Sequence, residues 1–329
     1  MRIVILGRTE YLFETAELLS KEHEIAAIVT ARAMPEHDKN EQDFEQLAKQ
    51  LNCRFYNSNR VDEKLLNIIK GSNADVCISL NWVTVLKDDV IGLFKHGILN
   101  AHFGDLPSYR GNAVINWAIL NNEKQIAITI HRMVAGEIDS GNILRKKYMQ
   151  IESNTSIGEV VSFCKEYTPQ LFTEVVNEIA AGTLKEINQN SLPQTAFRCY
   201  PRVPENSKID WNSSAEEIHA LVRASAKPYS GAYSYIKING EIKKIYIWKS
   251  EIKCKETSDI GVPGSIINND KTKGVSSVYT GKGILDIVEA QYENEEVFMP
   301  GKIWKSIRLH FGIDLEEEII NLYKLYNKS

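Results

Sequence analysis

Residues 98–111 read ILNAHFGDLPSYRG and set an amide and an imidazole two positions apart, Asn100 and His102. In an extended strand, residues two apart project to the same side, so these two side chains share a face. An asparagine amide donates hydrogen bonds to a developing oxyanion, and a histidine takes or gives a proton near neutral pH. The pair suits a reaction in which charge builds on an oxygen while a proton moves. By itself an Asn-x-His reads far more readily as a satisfied polar pair at a strand end. A second stretch adds to it: RMVAGEIDSGNIL (132–144) holds Asp139 in a tight loop. A carboxylate there could orient His102 and raise its pKa as an opposite charge. Asp-Ser-Gly is also good turn chemistry on its own, so spacing leaves both readings open.

The elements that must position these residues alternate. RIVILG (2–7), EIAAIVT (24–30), CRFYN (53–57), ADVCISL (74–80) and HGILNAH (96–102) read as strands. Between them, 11–22, 41–51 and 61–71 carry helical spacing, the last ending on Gly71 as a C-cap. Such βαβα alternation predicts an α/β, Rossmann-like doubly wound parallel sheet, with sites at the carboxyl ends of its strands. AVINWAIL (113–120) is predicted as a helix, 126–133 and 142–151 as strands, and 156–181 as a long helix closed at Gly182. Composition then changes. Residues 187–211 hold three prolines and many polar residues and read as a linker wrapping the surface. After a helix at 214–225, short β segments recur at 231–238, 243–252, 263–268, 275–280 and 283–292, as in a small OB-like barrel or open sheet, and a helix over 316–326 ends the chain. Two domains are expected, 1–200 and 201–329.

Composition bounds the function. The 329 residues are 43% hydrophobic and 25% charged, ordinary for a soluble globular protein, and the net charge is −4. That balance disfavours a nucleic-acid or membrane-surface binder, which needs a basic footprint. The apolar start is too short for a signal peptide and no apolar run is long enough to span a bilayer. Cys53, Cys77, Cys164, Cys199 and Cys254 show no CxxC spacing, so neither a zinc site nor a disulfide framework is expected, and buried thiols in a cytoplasmic protein are the natural reading. Gly7 ends the first strand with no second or third glycine after it, a mismatch with the dinucleotide phosphate loop. His131, on the strand before the Asp139 loop, reads as structural.

Taken as a set, ILNAHFGDLPSYRG, NWAILN and IAITIHRMVAGEIDSGNIL resemble the formyltransferases that use 10-formyltetrahydrofolate. RCYPRVPENSKIDW and HALVRASAKPYSGAYSYI resemble the junction and C-terminal domain of the same family, so the resemblance runs over roughly 1–310. It implies Asn100, His102 and Asp139 as the catalytic set, with His102 as general base, and no metal. It implies a folate carrier held by Trp82, Val83, Val85 and Leu86 after the fourth strand and by Ala135, Gly136, Glu137 and Ile138 beside the aspartate. The Leu106-Pro107-x-x-Arg110-Gly111 loop matches the family's loop. The GDLPSYRGN and NWAI pattern looks most like the sugar N-formyltransferases, which act on a nucleotide-linked amino sugar, often at carbon 4 of a deoxy sugar. On that resemblance Trp82, Tyr109, Arg110, Gly111, Asn112, Trp117 and Arg202 are the expected substrate contacts, with Trp117 equally a helix core residue. A homodimer is the expected assembly.

Two alternatives stand beside this reading. Methionyl-tRNA formyltransferases share the core but carry a basic insertion after the second strand. Here the corresponding segment, 31–46, has only Arg32 and Lys39 as lysine or arginine among several acidic residues. Their proline loop usually reads Ser-Leu-Leu-Pro, where this chain reads GDLP. A non-catalytic binding protein on the same fold is the other alternative, and the intact Asn100–His102–Asp139 set argues against it.

Overall fold

The computed structural model describes residues 1–34, 37–313 and 315–327; Pro35 and Glu36 of the 31–46 segment lie outside them. The chain divides into two compact units. The first takes residues 1–118, 124–151 and 159–201, and the second takes 119–123, 152–158 and 202 onward.

In the first unit, β1 (Arg2–Gly7), β2 (Glu24–Thr30), β3 (Arg54–Asn57), β4 (Val76–Leu80) and β5 (Ile98–His102) run parallel. The apolar–polar alternation of a half-exposed strand is absent from β1, whose residues 3–7 are all buried, because helices cover both faces of a parallel sheet. The intervening helices are α1 (Glu10–Leu19), α2 (Glu41–Gln50), α3 (Glu63–Ser72) and α4 (Asp88–Ile91). Asn40 caps α2 by accepting from the Gln42 and Asp43 N–H groups, while the Asp43 carboxylate accepts from the Asn40 N–H. The left-handed C-cap of α3 is Asn73, with φ 46°, and not Gly71, which stays inside the helix. Asparagine tolerates that conformation through its short polar side chain.

The chain then departs from a purely parallel sheet. After a two-residue strand β6 (Arg110–Gly111) and helix α5 (Val114–Leu120), strand β7 (Gln125–Arg132) returns antiparallel to β5, and β8 (Ile143–Gln150) is antiparallel to β7. Among the described residues the sheet has seven strands in the order β3-β2-β1-β4-β5-β7-β8, so it is mixed. The antiparallel β7–β8 pair has a local reason: the two strands are joined by a loop without a helix, and a parallel return needs a crossover of a dozen or more residues. Strand order reverses between β1 and β4, and β5 is the next strand beyond β4. Helix α6 (Ile157–Ala181) follows and ends at Gly182, φ 69°.

The segment expected to be a linker is not a bare wrap. Its residues Arg198–Cys199 form β9, which pairs in parallel with β6.

In the second unit α7 (Ala215–Ser225) precedes β10 (Ala232–Ile238), β11 (Glu241–Cys254), β12 (Ile266–Asp270), β13 (Val275–Tyr279), β14 (Ile284–Tyr292) and β15 (Val297–Phe298). Two helices finish the described chain, α8 (Pro300–Ile303) and α9 (Leu315–Tyr326). The sheet order is β10-β11-β14-β13-β12, all antiparallel, with β15 on β14. Phe311 bridges to Ile236 of β10, and His310 to Ser265 just before β12. This segment therefore bridges β10 and the start of β12, the two ends of the sheet, and closes the barrel between them. The barrel encloses Ile236, Ile245, Ile247, Val278, Leu285 and Ile287, and Trp211 stacks on Phe311 at 4.7 Å. Cys77, Cys164 and Cys199 are buried free thiols, whereas Cys53 and Cys254 are half-buried. Among the described residues no helix is long and apolar enough to cross a membrane.

Candidate active site

Asn100 and His102 end β5, and the antiparallel pairing of β7 sets His131 directly opposite Asn100. Residues paired across adjacent strands point to the same face, so three polar side chains gather there. Asn100 Nδ2 lies 3.1 Å from His131 Nε2. The loop between β7 and β8 brings Asp139 to the same place: its Oδ2 is 3.3 Å from His102 Nδ1 and its Oδ1 is 3.4 Å from His131 Nε2. The Gly111 N–H donates to Asp139 Oδ2 at 2.9 Å. His131 Nδ1–H donates to the Arg132 carbonyl at 2.8 Å, which leaves Nε2 facing Asn100 and Asp139. His131, read from the sequence as structural, is thus part of the cluster. Its signal in the sequence is the alternation of ITIHRM, which becomes informative only once β7 is known to pair with β5.

The second nitrogen of His102 meets a backbone group. Its Nε2 lies 2.6 Å from the Tyr109 carbonyl oxygen, an acceptor. The ring therefore stands between two acceptors, Tyr109 O and Asp139 Oδ2, which together suit the imidazolium formed when His102 accepts a proton. Burial of the ring pulls its pKa below the ordinary histidine value, outweighing the Asp139 charge and the Tyr109 carbonyl, which pull it upward. That downward shift favours the neutral ring, the form that can act as a base. For Asp139, burial pushes the pKa up, but His131, His102 and the Gly111 N–H outweigh it and bring it down to about 2. The carboxylate is ionised.

Beside this cluster lies a cavity of about 260 Å³. Of the residues expected to hold a carrier, Trp82, Val83, Val85, Leu86, Glu137 and Ile138 line it, together with Thr84, His131, Met133, Val134 and Asp139. Ala135 and Gly136 sit in the same loop but not on its wall. Leu86 is 1% exposed and belongs to the core beneath the cavity. The Trp82 indole N–H donates to the Thr84 hydroxyl at 3.0 Å.

The residues expected to meet the acceptor are engaged differently. The Tyr109 ring is buried, 4.7 Å from Phe197, and its carbonyl serves His102. Arg110 Nη2 donates to Gln189 Oε1 at 2.7 Å, so this guanidinium is held by the protein itself. Gly111 contributes its N–H to Asp139, and the Asn112 N–H donates to the Cys199 carbonyl at 3.1 Å. The Trp117 indole N–H donates to the Tyr200 carbonyl at 2.9 Å. Arg202 belongs to the second unit, where its Nη2 donates to the Asn206 carbonyl at 2.9 Å.

Among the described residues no group of His, Cys, Asp and Glu is placed to hold a metal ion. The arrangement supplies an amide donor, an imidazole beside an ionised carboxylate, and a cavity lined largely by apolar side chains. That is the equipment for acyl-type transfer to an amine by general base catalysis.

Comparison with known proteins agrees with this chemistry. Residues 1–176 match the family described as formyl transferase, and residues 202–308 match the formyl transferase C-terminal domain. A methionyl-tRNA formyltransferase of Protochlamydia amoebophila (strain UWE25) is 30% identical over 239 residues, 72% of this chain and 71% of its own. Another, of Clostridium tetani (strain Massachusetts / E88), is 28% identical over 323 residues, covering 96% of this chain and 100% of its own. The crystal structure of an N-formyltransferase from Helicobacter canadensis, in complex with folinic acid and dTDP-3-aminofucose, shares the fold at a TM-score of 0.62 and 21% identity, covering 88% of this chain and 99% of that one. With a family match over more than half of its length and a second over its barrel, the chain belongs to the formyl transferase family and is a tetrahydrofolate-dependent formyltransferase.

Proposed function

We propose that this chain transfers the formyl group of 10-formyltetrahydrofolate to the amino group, at carbon 4, of a nucleotide-linked amino deoxy sugar. The observation that carries the formyl-transfer chemistry is the meeting of Asn100, His102 and Asp139 beside the cavity walled by Trp82, Val83, Val85 and Ile138. An apolar slot with few polar groups suits a flat heterocycle such as the carrier's pterin. The carrier supplies an electrophilic formyl carbon. His102 takes the proton that the acceptor amine loses and would return one to the carrier nitrogen as its bond to the formyl carbon breaks; Asp139 balances the transient imidazolium, and an Asn100 N–H is directed at the oxygen on which charge develops.

Charge and loop sequence favour the sugar acceptor. The 31–46 segment carries Arg32 and Lys39 but no basic run, and the net charge is −4, a poor match for the phosphate backbone of a tRNA. The GDLPSYRGN loop resembles that of sugar N-formyltransferases, and the Helicobacter canadensis neighbour was solved with a nucleotide-linked amino sugar. A second reading is favoured by a different observation: relatives matched along most of the chain are methionyl-tRNA formyltransferases.

An acceptor screen separates the two. The full chain and 10-formyltetrahydrofolate are incubated with UDP-, GDP- and dTDP-linked amino sugars, and in a separate lane with methionyl-tRNA, and the products are weighed by mass spectrometry for one added formyl group. A formylated nucleotide sugar is the expected product. Formylated methionyl-tRNA with unchanged sugars would replace the first reading by the second.

A further inference from the structure

Gln189 lies in the segment that reads as a surface linker, yet it is 2% exposed. Its amide is fully used. Oε1 accepts from Arg110 Nη2 at 2.7 Å, and Nε2 donates to the Asp139 carbonyl at 2.8 Å and to the Gly141 carbonyl at 2.7 Å. One side chain thus ties together the loop that follows β5, which supplies the Tyr109 carbonyl and the Gly111 N–H, and the loop that carries Asp139. Asp139 needs such a tie. Its φ is 50°, a left-handed backbone that a short polar side chain tolerates and that its surroundings hold in place. The bond to its own carbonyl is a direct restraint on that backbone, and the carboxylate branches from the same Cα.

We infer that Gln189 is a positioning residue for formyl transfer: by holding the Asp139 backbone and the Arg110 guanidinium with one amide, it sets the Asp139 carboxylate against His102. The inference rests on the assignment of Asp139 as the partner of His102. A donor and an acceptor are both required at this position, and an uncharged amide offers them with no added charge in the buried cluster. A leucine or methionine of similar volume leaves the Asp139 and Gly141 carbonyls without their donor, and the loop is free to carry the carboxylate away.

The test reads His102 directly and needs no acceptor. The imidazole is titrated by NMR in full-length protein labelled at histidine, its resonance assigned through His102→Gln. The charged and titratable groups facing it are Asp139, His131 and Arg110. Gln189→Met is expected to lower the His102 pKa by roughly half a unit or more, because the Asp139 charge that raises it moves away. In an Asp139→Asn background the same substitution is expected to add no further drop, because the group through which Gln189 acts is already neutral. Gln189→Asn keeps a polar amide one methylene short of both loops. It is expected to shift His102 in the same direction, and it carries the test if Gln189→Met does not fold. An unmoved or raised His102 pKa in the Gln189 variants, or an equal drop with and without the Asp139 charge, would overturn the inference and leave Gln189 acting through Arg110 or through the fold alone. An unmoved His102 in Asp139→Asn itself would instead overturn the pairing of Asp139 with His102.

Discussion

His131 Nε2 stands 3.4 Å from Asp139 Oδ1, the carboxylate oxygen that His102 does not face. The aspartate therefore has one imidazole beside each oxygen, and Oδ2 accepts from the Gly111 N–H as well. Removing one side tests the arrangement. In His131→Leu the Asp139 pKa is expected to rise from about 2, and formyl transfer to fall about tenfold or more, as happens when a preorganised charge loses a partner. Leaving Asn100 Nδ2 without His131 Nε2 costs about 1–3 kcal/mol of stability. Carboxylate NMR titration and turnover check the two effects separately, and an Asp139 pKa that stays put would remove His131 from the cluster.

The pH dependence follows from burial. The folded His102 pKa lies below the unfolded value of about 6.5, so the folded protein binds fewer protons than the unfolded chain in the interval between them. Stability is expected to fall as pH drops through that interval and to level off below the folded pKa. The acid limb of kcat/KM, which reports the free enzyme, is expected below pH 6.5 with the acceptor that the screen identifies. Asp139 titrates far lower: its contribution is present above the ordinary carboxylate range and is lost as pH falls through about 2, so it does not shape the activity profile near neutrality. An acid limb above 6.5 would show that the titrating base is another group.

Gly104 leaves the space in which His102 meets the loop. A Cβ at this position would lie 2.7 Å from His102 Nε2 and 2.7 Å from the Tyr109 carbonyl oxygen. Gly104→Ala is expected to cost about 1–3 kcal/mol through overpacking and to lower turnover more than it lowers stability, because the displaced atoms include the base. Thermal denaturation alongside kcat measures both, and full turnover in this variant would show that the His102–Tyr109 contact is dispensable.

Asp105, which with Gly104 sets this loop apart from Ser-Leu-Leu-Pro, is anchored by β8. Lys146 Nζ donates to Asp105 Oδ1 at 2.5 Å and to the Leu106 carbonyl, and the Tyr148 hydroxyl donates to the same Asp105 oxygen at 3.1 Å. Lys146 is 16% exposed and Asp105 30%, so the pair is only partly screened by water. Lys146→Met is expected to destabilise the protein by about 1–3 kcal/mol in denaturant titration and to loosen the loop that supplies Tyr109 and Gly111. A change within about 0.5 kcal/mol would place this ion pair with ordinary surface pairs.

The sequence by itself determined the parts of this protein that are governed by local pattern. Strands β1 and β2 occupy the residues that their apolar runs mark, and β5 ends where Asn100 and His102 share a face. The Asp139 turn lies between two strands as its glycines and Asp-Ser-Gly motif require. These features depend on side-chain periodicity and turn chemistry within a few residues. Tertiary structure alone decided which strands face one another and what reaches the site from far along the chain. The antiparallel return of β7 places His131 opposite Asn100, a matter of register between strands that single-strand periodicity does not encode. Gln189 enters the site across 50 residues from Asp139, and a polar residue in a proline-rich stretch gives no sign that it is 2% exposed. Likewise Phe311 and His310 close the barrel from beyond its last regular strand. In each case the deciding contact is a hydrogen bond or pairing between segments distant in sequence, formed because buried backbone and amide groups must find partners wherever the fold brings them.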